Sequence, residues 1–416
     1  MRRVLFLPSK PNKRAGGPTG YVGYLQTGLE ALSVNNIDIK YPLAGHDARN
    51  TERIIARKIY NFGKDVVKAY LPSLWIAMKK QRYLQHARKF ADFVEKVLAE
   101  ATYSLAHFHG TSDFFAFVQF GTKKNRQTLT ILTSHSPVPP HKELTYYLLQ
   151  GMDLYGSKRL ISSNTKSTLL GKVEKFYETI DLQAFEQADY LVFPCEEALE
   201  GYLKWAPFEN IISTKKVAYV LSGVESMSFK LTPDEVREKY SIPRNAFIVS
   251  YVGRHDSFKG YDILQQAAEW VWKKNKNIWF LIGGKEWPIK GLHNDNWIEV
   301  GWTDDPGSLI NASDVFVLPN RETFFDLILL EVLSLGKPVL ASRTGGNKYV
   351  ARQSEGVILF DLHPEDLGEK LLQLATERDF LAKVGQMNKA TYEKYYTVEL
   401  FAKRYVELYD SIEREA

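Results

Sequence analysis

The chain has 416 residues, 44% of them hydrophobic and 25% charged, which suits a soluble globular protein long enough for two cored domains. A single cysteine, Cys195, excludes an internal disulfide framework and cysteine-ligated metal clusters, and the lack of any run of about 18 apolar residues excludes a membrane-spanning helix. The net charge of +5 is uneven: residues 1–222 hold about 30 Lys and Arg against about 20 Asp and Glu, roughly +10, which leaves about −5 for the rest. The first half is therefore expected to face something anionic.

In chain order, Val4 to Pro8 reads as a buried strand, its apolar run too short for a secretion signal, and a cytoplasmic protein is expected. A glycine-rich turn over Gly16, Gly17, Thr19 and Gly20 leads into a helical pattern from Tyr21 to Leu32. Residues 57–98 form a long insert. Phe90, Phe93/Val94 and Val97/Leu98 make one helical stripe there, and Ile59, Val66/Val67 and Tyr70 another. Basic residues at 58, 64, 68, 79, 80, 82, 88 and 89 are interleaved with Tyr60, Phe62, Trp75 and Tyr83. Such a region suits peripheral docking on an anionic membrane; the competing reading is helices packed on a sheet with a charged outer face. The basic residues match no nucleic-acid-reading motif.

Further strands are expected at 104–109, 129–134, 190–194 and 217–221, and a hinge at 222–225. The second half alternates regularly. Strands are expected at 248–252, 278–284, 298–301, 314–319, 338–342 and 357–361, with helices at 261–272, about 326–335 and 364–377, and a last helix at about 397–413. Short, wholly apolar strands separated by helices predict a doubly wound parallel sheet.

Two segments carry chemistry. Gly253-Arg-His-Asp-Ser-Phe-Lys-Gly260 lies between a strand and a helix. Arg254 offers a planar fork and Lys259 a point charge, the glycines let the loop bend, and the following helix aims N–H groups the same way, all of which suit a diphosphate. Glu322, Thr323, Phe325, Asp326 and Glu331 follow the 314–319 strand, at the carboxyl end where open α/β sheets bind ligands. Carboxylates there suit a polyhydroxyl ligand. His107 and His109 share one strand face, but no third metal ligand accompanies them.

On the 322–331 segment and the Arg254/Lys259 loop, the chain resembles the retaining nucleotide-sugar glycosyltransferases of family 4, whose signature is a Glu, seven residues and a second Glu. Alignment on Phe325 and Glu331 puts Thr323 in the first Glu slot and Glu322 one residue early. A one-residue bulge would return Glu322 to the pocket; otherwise Thr323 or Asp326 meets the sugar. The resemblance implies a GT-B fold, two Rossmann-like domains facing each other across a cleft. Residues 1–224 would bind the acceptor, 225–396 the donor, and 397–416 would return to the first domain. It implies that Glu331 meets the donor ribose, backbone near Gly301 the base, Arg254 and Lys259 the diphosphate, and Gly345 and Gly346 the phosphates or sugar. His135 would touch the transferred sugar, with Thr19, His109 and Glu196 on the acceptor side. It further implies a UDP- or GDP-linked donor, no metal or other cofactor, and attack from the face the diphosphate leaves. The expected function is transfer of a hexose to a saccharide acceptor, lipid-linked and part of surface polysaccharide synthesis, at the inner face of the membrane. A GT-B nucleotide-sugar epimerase and a catalytically silent sugar-nucleotide-binding subunit are the alternatives.

Overall fold

The computed structural model describes residues 2–6, 17–41, 72–121, 128–154 and 163–415. Gly16 and residues 57–71 of the insert lie outside them. Two six-stranded sheets, parallel throughout, organise the chain. The first joins β1 (Arg2–Phe6), β2 (Ile37–Lys40), β3 (Tyr103–Phe108), β4 (Leu129–Leu132), β5 (Tyr190–Phe193) and β6 (Lys216–Tyr219) in the order β2-β1-β3-β4-β5-β6. The second joins β7 (Phe247–Val252), β8 (Ile278–Gly283), β9 (Trp297–Gly301), β10 (Val315–Leu318), β11 (Val339–Ser342) and β12 (Val357–Phe360) in the order β12-β11-β10-β7-β8-β9. Strands β5, β10 and β11 are buried along their whole length, which is why their sequences lack polar alternation.

In each sheet the strand order reverses at the first strand. β1 lies between β2 and β3, and β7 between β10 and β8. A crevice opens outside the carboxyl ends at such a switch point. There the helices α1 (Gly17–Ala31) and, in the second domain, α6 (Tyr261–Trp272) begin. Between them come α2 (Pro72–Glu100), α3 (Thr111–Phe120), α4 (Pro140–Leu154) and α5 (Ser163–Gln187); after them α7 (Leu327–Ser334), α8 (Gly345–Ala351), α9 (Arg378–Tyr395) and α10 (Val398–Glu415).

The chain crosses between domains twice, side by side: Val224 N–H donates to the Tyr396 carbonyl at 2.9 Å and Val224 bridges to Thr397. Beyond this crossing α10 packs on α1 of the first domain. Their axes come close because Gly28 has no side chain, since a Cβ there would lie 2.0 Å from the Val398 carbonyl oxygen. Buried Arg3 of β1 fixes the far end, its guanidinium 2.6 Å from Glu413 and also paired with Asp410. A glutamate gripped in this way stays ionised, and Arg3 holds Glu413 below its ordinary pKa.

Of the two stripes expected in the insert, the one at 59–70 lies outside the described residues. Phe90, Val94 and Val97 are buried in the first-domain core with Phe6, Phe108 and Phe114, so this stripe covers the sheet. The helix expected from Tyr21 starts a turn earlier, at Gly17.

Candidate active site

The second domain supplies one wall of the cleft. The loop after β7 carries Arg254 and Lys259, and Lys259 Nζ donates to both oxygens of Asp326, at 3.0 and 3.1 Å. Buried Asn320 also donates to Asp326. The Lys259 backbone N–H donates to Asp256 at 2.8 Å. Arg321 braces the loop from below through a two-pronged pair with Asp262, both contacts 2.7 Å, and a bond to the Ser257 carbonyl. Lys259 is thus oriented from two sides. The Arg254 guanidinium is half-exposed, 3.4 Å from Asp256, and lies over the Tyr147 ring of α4 at 4.6 Å.

The segment 322–326 runs without regular structure before α7, and the glycines of α8 hold it in place. A Cβ on Gly345 would sit 1.8 Å from the Thr323 carbonyl oxygen, and Gly345 has a φ of 42°. A Cβ on Gly346 would sit 2.5 Å from the Phe324 carbonyl oxygen. Backbone packs directly on backbone there, and only glycine allows it.

The first domain supplies the opposite wall. Tyr24 of α1 donates to Glu331 at 2.7 Å, and burial raises the Glu331 pKa despite that bond. Glu200, in the short helix after β5, accepts from the Gly345 N–H at 3.2 Å and pairs with Lys348, while Glu197 pairs with Arg352. Lys204 pairs with Glu322 at 2.5 Å. Tyr146 of α4 accepts from the Phe258 N–H at 3.0 Å and bonds Ser257 at 2.5 Å.

Three histidines line the first-domain floor. His107 stacks on His109 with ring centroids 4.1 Å apart, and His109 on His135 at 5.1 Å, with His109 Nδ1 2.8 Å from His135 Nε2. His135 has a φ of 61°, a left-handed backbone that turns its ring toward His109. Tyr21 of α1 packs edge-on to His135 at 4.5 Å, and Tyr409 of α10 bonds His107 at 2.8 Å. Burial pushes His135 down to about 3 and depresses His107 and His109 as well, so the stack is neutral at pH 7.

The expected site residues therefore separate. Arg254, Lys259, Asp326 and Glu331 face the cleft, with Gly253 and Gly301 at the carboxyl ends of β7 and β9 and Thr19 in the first turn of α1. Gly17 opens that helix at a φ of 56°, exposed. Thr323 is buried and bonded to Thr344 at 3.2 Å, and Phe325 is buried as well, so in this structure both are packed into the wall. Glu322 turns to Lys204, and Asp326 takes the place beside Lys259; no bulge returns Glu322 to it. Glu196 is exposed, and its neighbours Glu197 and Glu200 reach the second domain instead. The 3₁₀ turn at Glu196–Leu199 aims them there, a phase that strand-end position alone does not reveal. Tyr24 and Tyr146 are also absent from the sequence reading: Tyr24 sits on a helix whose cleft-facing side was not assigned, and Tyr146 on α4, which was not anticipated. Among the described residues no cluster of three or more His, Cys, Asp or Glu is arranged to hold a metal ion.

Comparison with known proteins adds to this geometry. Residues 246–377 match the family model described as glycosyl transferases group 1. The chain is 24% identical over 220 residues to the UDP-Gal:alpha-D-GlcNAc-diphosphoundecaprenol alpha-1,3-galactosyltransferase of Escherichia coli, covering 48% of this chain and 54% of that one. It is 22% identical over 206 residues to the capsular polysaccharide biosynthesis glycosyltransferase CapM of Staphylococcus aureus, covering 47% and 54%. The chain thus spans about half the length of these two relatives. Among solved structures, the sucrose-phosphate synthase of Thermosynechococcus elongatus superposes over 100% of both chains with a TM-score of 0.67 at 16% identity, which shows a shared GT-B fold.

Proposed function

We propose that this member of the family 4 glycosyltransferases, GT-B in fold, moves a hexose from a nucleoside-diphosphate donor to an acceptor hydroxyl, with retention of anomeric configuration. The observation that carries the reading is the Arg254–Lys259 loop at the switch point of the second sheet, its lysine locked onto Asp326. Two cations at the head of α6 match a diphosphate in charge and position. They stabilise the leaving diphosphate electrostatically, and no metal is required for that charge balance. Asp326 orients Lys259 and accepts from sugar hydroxyls, and Glu331 accepts from the ribose once Tyr24 yields it. In the step itself the bond from the anomeric carbon to the diphosphate oxygen breaks and a bond to the acceptor oxygen forms on the same face. The acceptor proton passes to the departing diphosphate oxygen. This route needs no nucleophile or base from the protein, in keeping with His135 being a weak proton acceptor, its pKa pushed down to about 3 by burial and its Nε2 engaged with His109.

The first domain takes the acceptor. The E. coli relative, whose name gives a UDP-linked donor and a diphosphoundecaprenol acceptor, and the capsule relative support a UDP-linked sugar, a lipid-linked saccharide and peripheral membrane placement. The test is incubation with UDP-, GDP- and ADP-sugars and a polyprenyl-diphosphate saccharide. One donor is expected to be consumed with an equal amount of glycosylated lipid formed, and Lys259→Ala to lower that rate by about 10² or more. Donor conversion without acceptor product, or an unaffected Lys259→Ala variant, overturns the reading.

A further inference from the structure

Away from the cleft floor, a groove of about 400 Å³ opens between α2, α3 and α5. That lies within the roughly 300–1,000 Å³ of small-ligand sites. Its floor is Ile76, Phe115, Phe176 and Ile180, resting on an aromatic layer in which Tyr83 contacts Phe115, Phe176 and Tyr177 at centroid distances of 6.2, 5.6 and 5.6 Å. Lys80, Lys172 and Lys175 rim it. Lys80 Nζ stands over the Phe176 ring at 4.9 Å, and Lys172 and Lys175 are exposed with no ion pair to a carboxylate among the described residues. Three cations around an apolar floor with almost no hydrogen-bonding lining do not suit a soluble polar ligand, which needs convergent polar partners. They suit a molecule with a negative head and a hydrocarbon tail.

We infer that this groove binds an anionic membrane phospholipid, its phosphate held by Lys80, Lys172 and Lys175 and one acyl chain laid on Phe115 and Phe176. The groove is not the buried Phe90–Val97 stripe. It lies toward the cleft side of the first sheet: Ile180 is next to Asp181, which bonds Thr111 at the carboxyl end of β3 and His141 at the start of α4. Helix α4 in turn meets the second-domain loop through Tyr146. Lipid in this groove brings the cleft mouth to the membrane surface, where a lipid-linked acceptor presents its saccharide. The inference deepens the proposed function in that respect, and vesicle binding itself is independent of sugar transfer.

The test is co-sedimentation of the full chain with phosphatidylglycerol and with phosphatidylcholine vesicles, alongside glycosyl transfer to a detergent-solubilised acceptor. Binding to phosphatidylglycerol alone is expected. The triple variant Lys80→Gln/Lys172→Gln/Lys175→Gln is expected to weaken it at least about tenfold. Phe176→Ser is expected to remove what binding persists at high salt, with the circular dichroism spectrum unchanged. The charge-matched control Lys273→Gln/Lys274→Gln/Lys276→Gln, on the second domain, is expected to bind as the parent does. Equal binding by the groove triple and the parent, equal loss in the control triple, or no binding to phosphatidylglycerol overturns the inference. Transfer in detergent reports on the proposed function separately.

Discussion

Two carboxylates four residues apart have different surroundings. Glu322 is neutralised by Lys204 across the cleft, whereas Asp326 accepts from Lys259 and Asn320 on its own wall. Asp326→Asn is expected to lower turnover about tenfold or more, because it releases Lys259. Glu322→Gln is expected to stay within about threefold, since it alters an ion pair exposed at the rim. Steady-state kinetics of the two variants decides which fills the role, and the reverse order contradicts this assignment. The placement of Lys259, Arg254 and Glu331 was legible in the sequence, because their loop and helix positions follow from strand ends. Which of Glu322, Thr323 and Asp326 lies beside Lys259 was not legible, because that depends on the irregular path of 319–326, set by contacts with Gly345 and Gly346 that are distant in sequence. The histidine stack carries a pH signature. His135 has an unfolded-state pKa near 6.5 and about 3 in the fold. The unfolded chain therefore takes up the proton first, and stability present above pH 6.5 is lost as pH falls from there toward 3. Between pH 7 and 5 that is about 2 kcal/mol for His135 alone. Asp113, raised to about 7 by burial, works in the opposite direction over the same range, so the contribution of His135 is read as the difference between parent and His135→Asn in urea unfolding at the two pH values; the same pH dependence in both contradicts a buried neutral stack.

At the scale of elements, Gly345→Ala tests the brace between α8 and the 322–326 segment. A methyl 1.8 Å from the Thr323 carbonyl oxygen, at a φ of 42°, is expected to cost about 1–3 kcal/mol in urea unfolding and to lower activity further by shifting Asp326. Unchanged stability together with unchanged turnover contradicts that brace. The elements of the second domain were legible because its central strands β7, β10 and β11 are buried almost throughout and read as short apolar runs; α6 spans Tyr261–Trp272, the residues expected of it. The first domain was less legible. Helices α4 and α5, polar and lacking an apolar run, were not anticipated, yet they supply Tyr146 and the groove wall. The stripe at Phe90, Val94 and Val97 was legible as a helix face, but periodicity tells which side is apolar and not what covers it.

At the scale of the whole molecule, first-domain side chains rest on the groups assigned to the donor. Tyr24 lies on Glu331, Glu200 on the Gly345 N–H, and the Tyr147 ring under Arg254. On the proposed function, a nucleotide entering the cleft would exchange these contacts for its own hydroxyls and phosphates, and donor binding would draw on the residues that now join the domains. The cross-cleft ion pairs run both ways, Lys204 meeting Glu322 while Glu200 and Glu197 meet Lys348 and Arg352, so they do not follow the charge difference between the two halves. All of this depends on the second domain holding a nucleoside diphosphate between Arg254 and Lys259. Calorimetric titration with UDP, GDP and ADP tests it most directly, on the parent and on Arg254→Ala/Lys259→Ala. One nucleotide is expected to bind the parent at one site per chain, and the double variant, with its melting temperature preserved, to bind at least about 10²-fold more weakly. Undiminished affinity in the double variant, or no nucleotide binding by the parent, would contradict it.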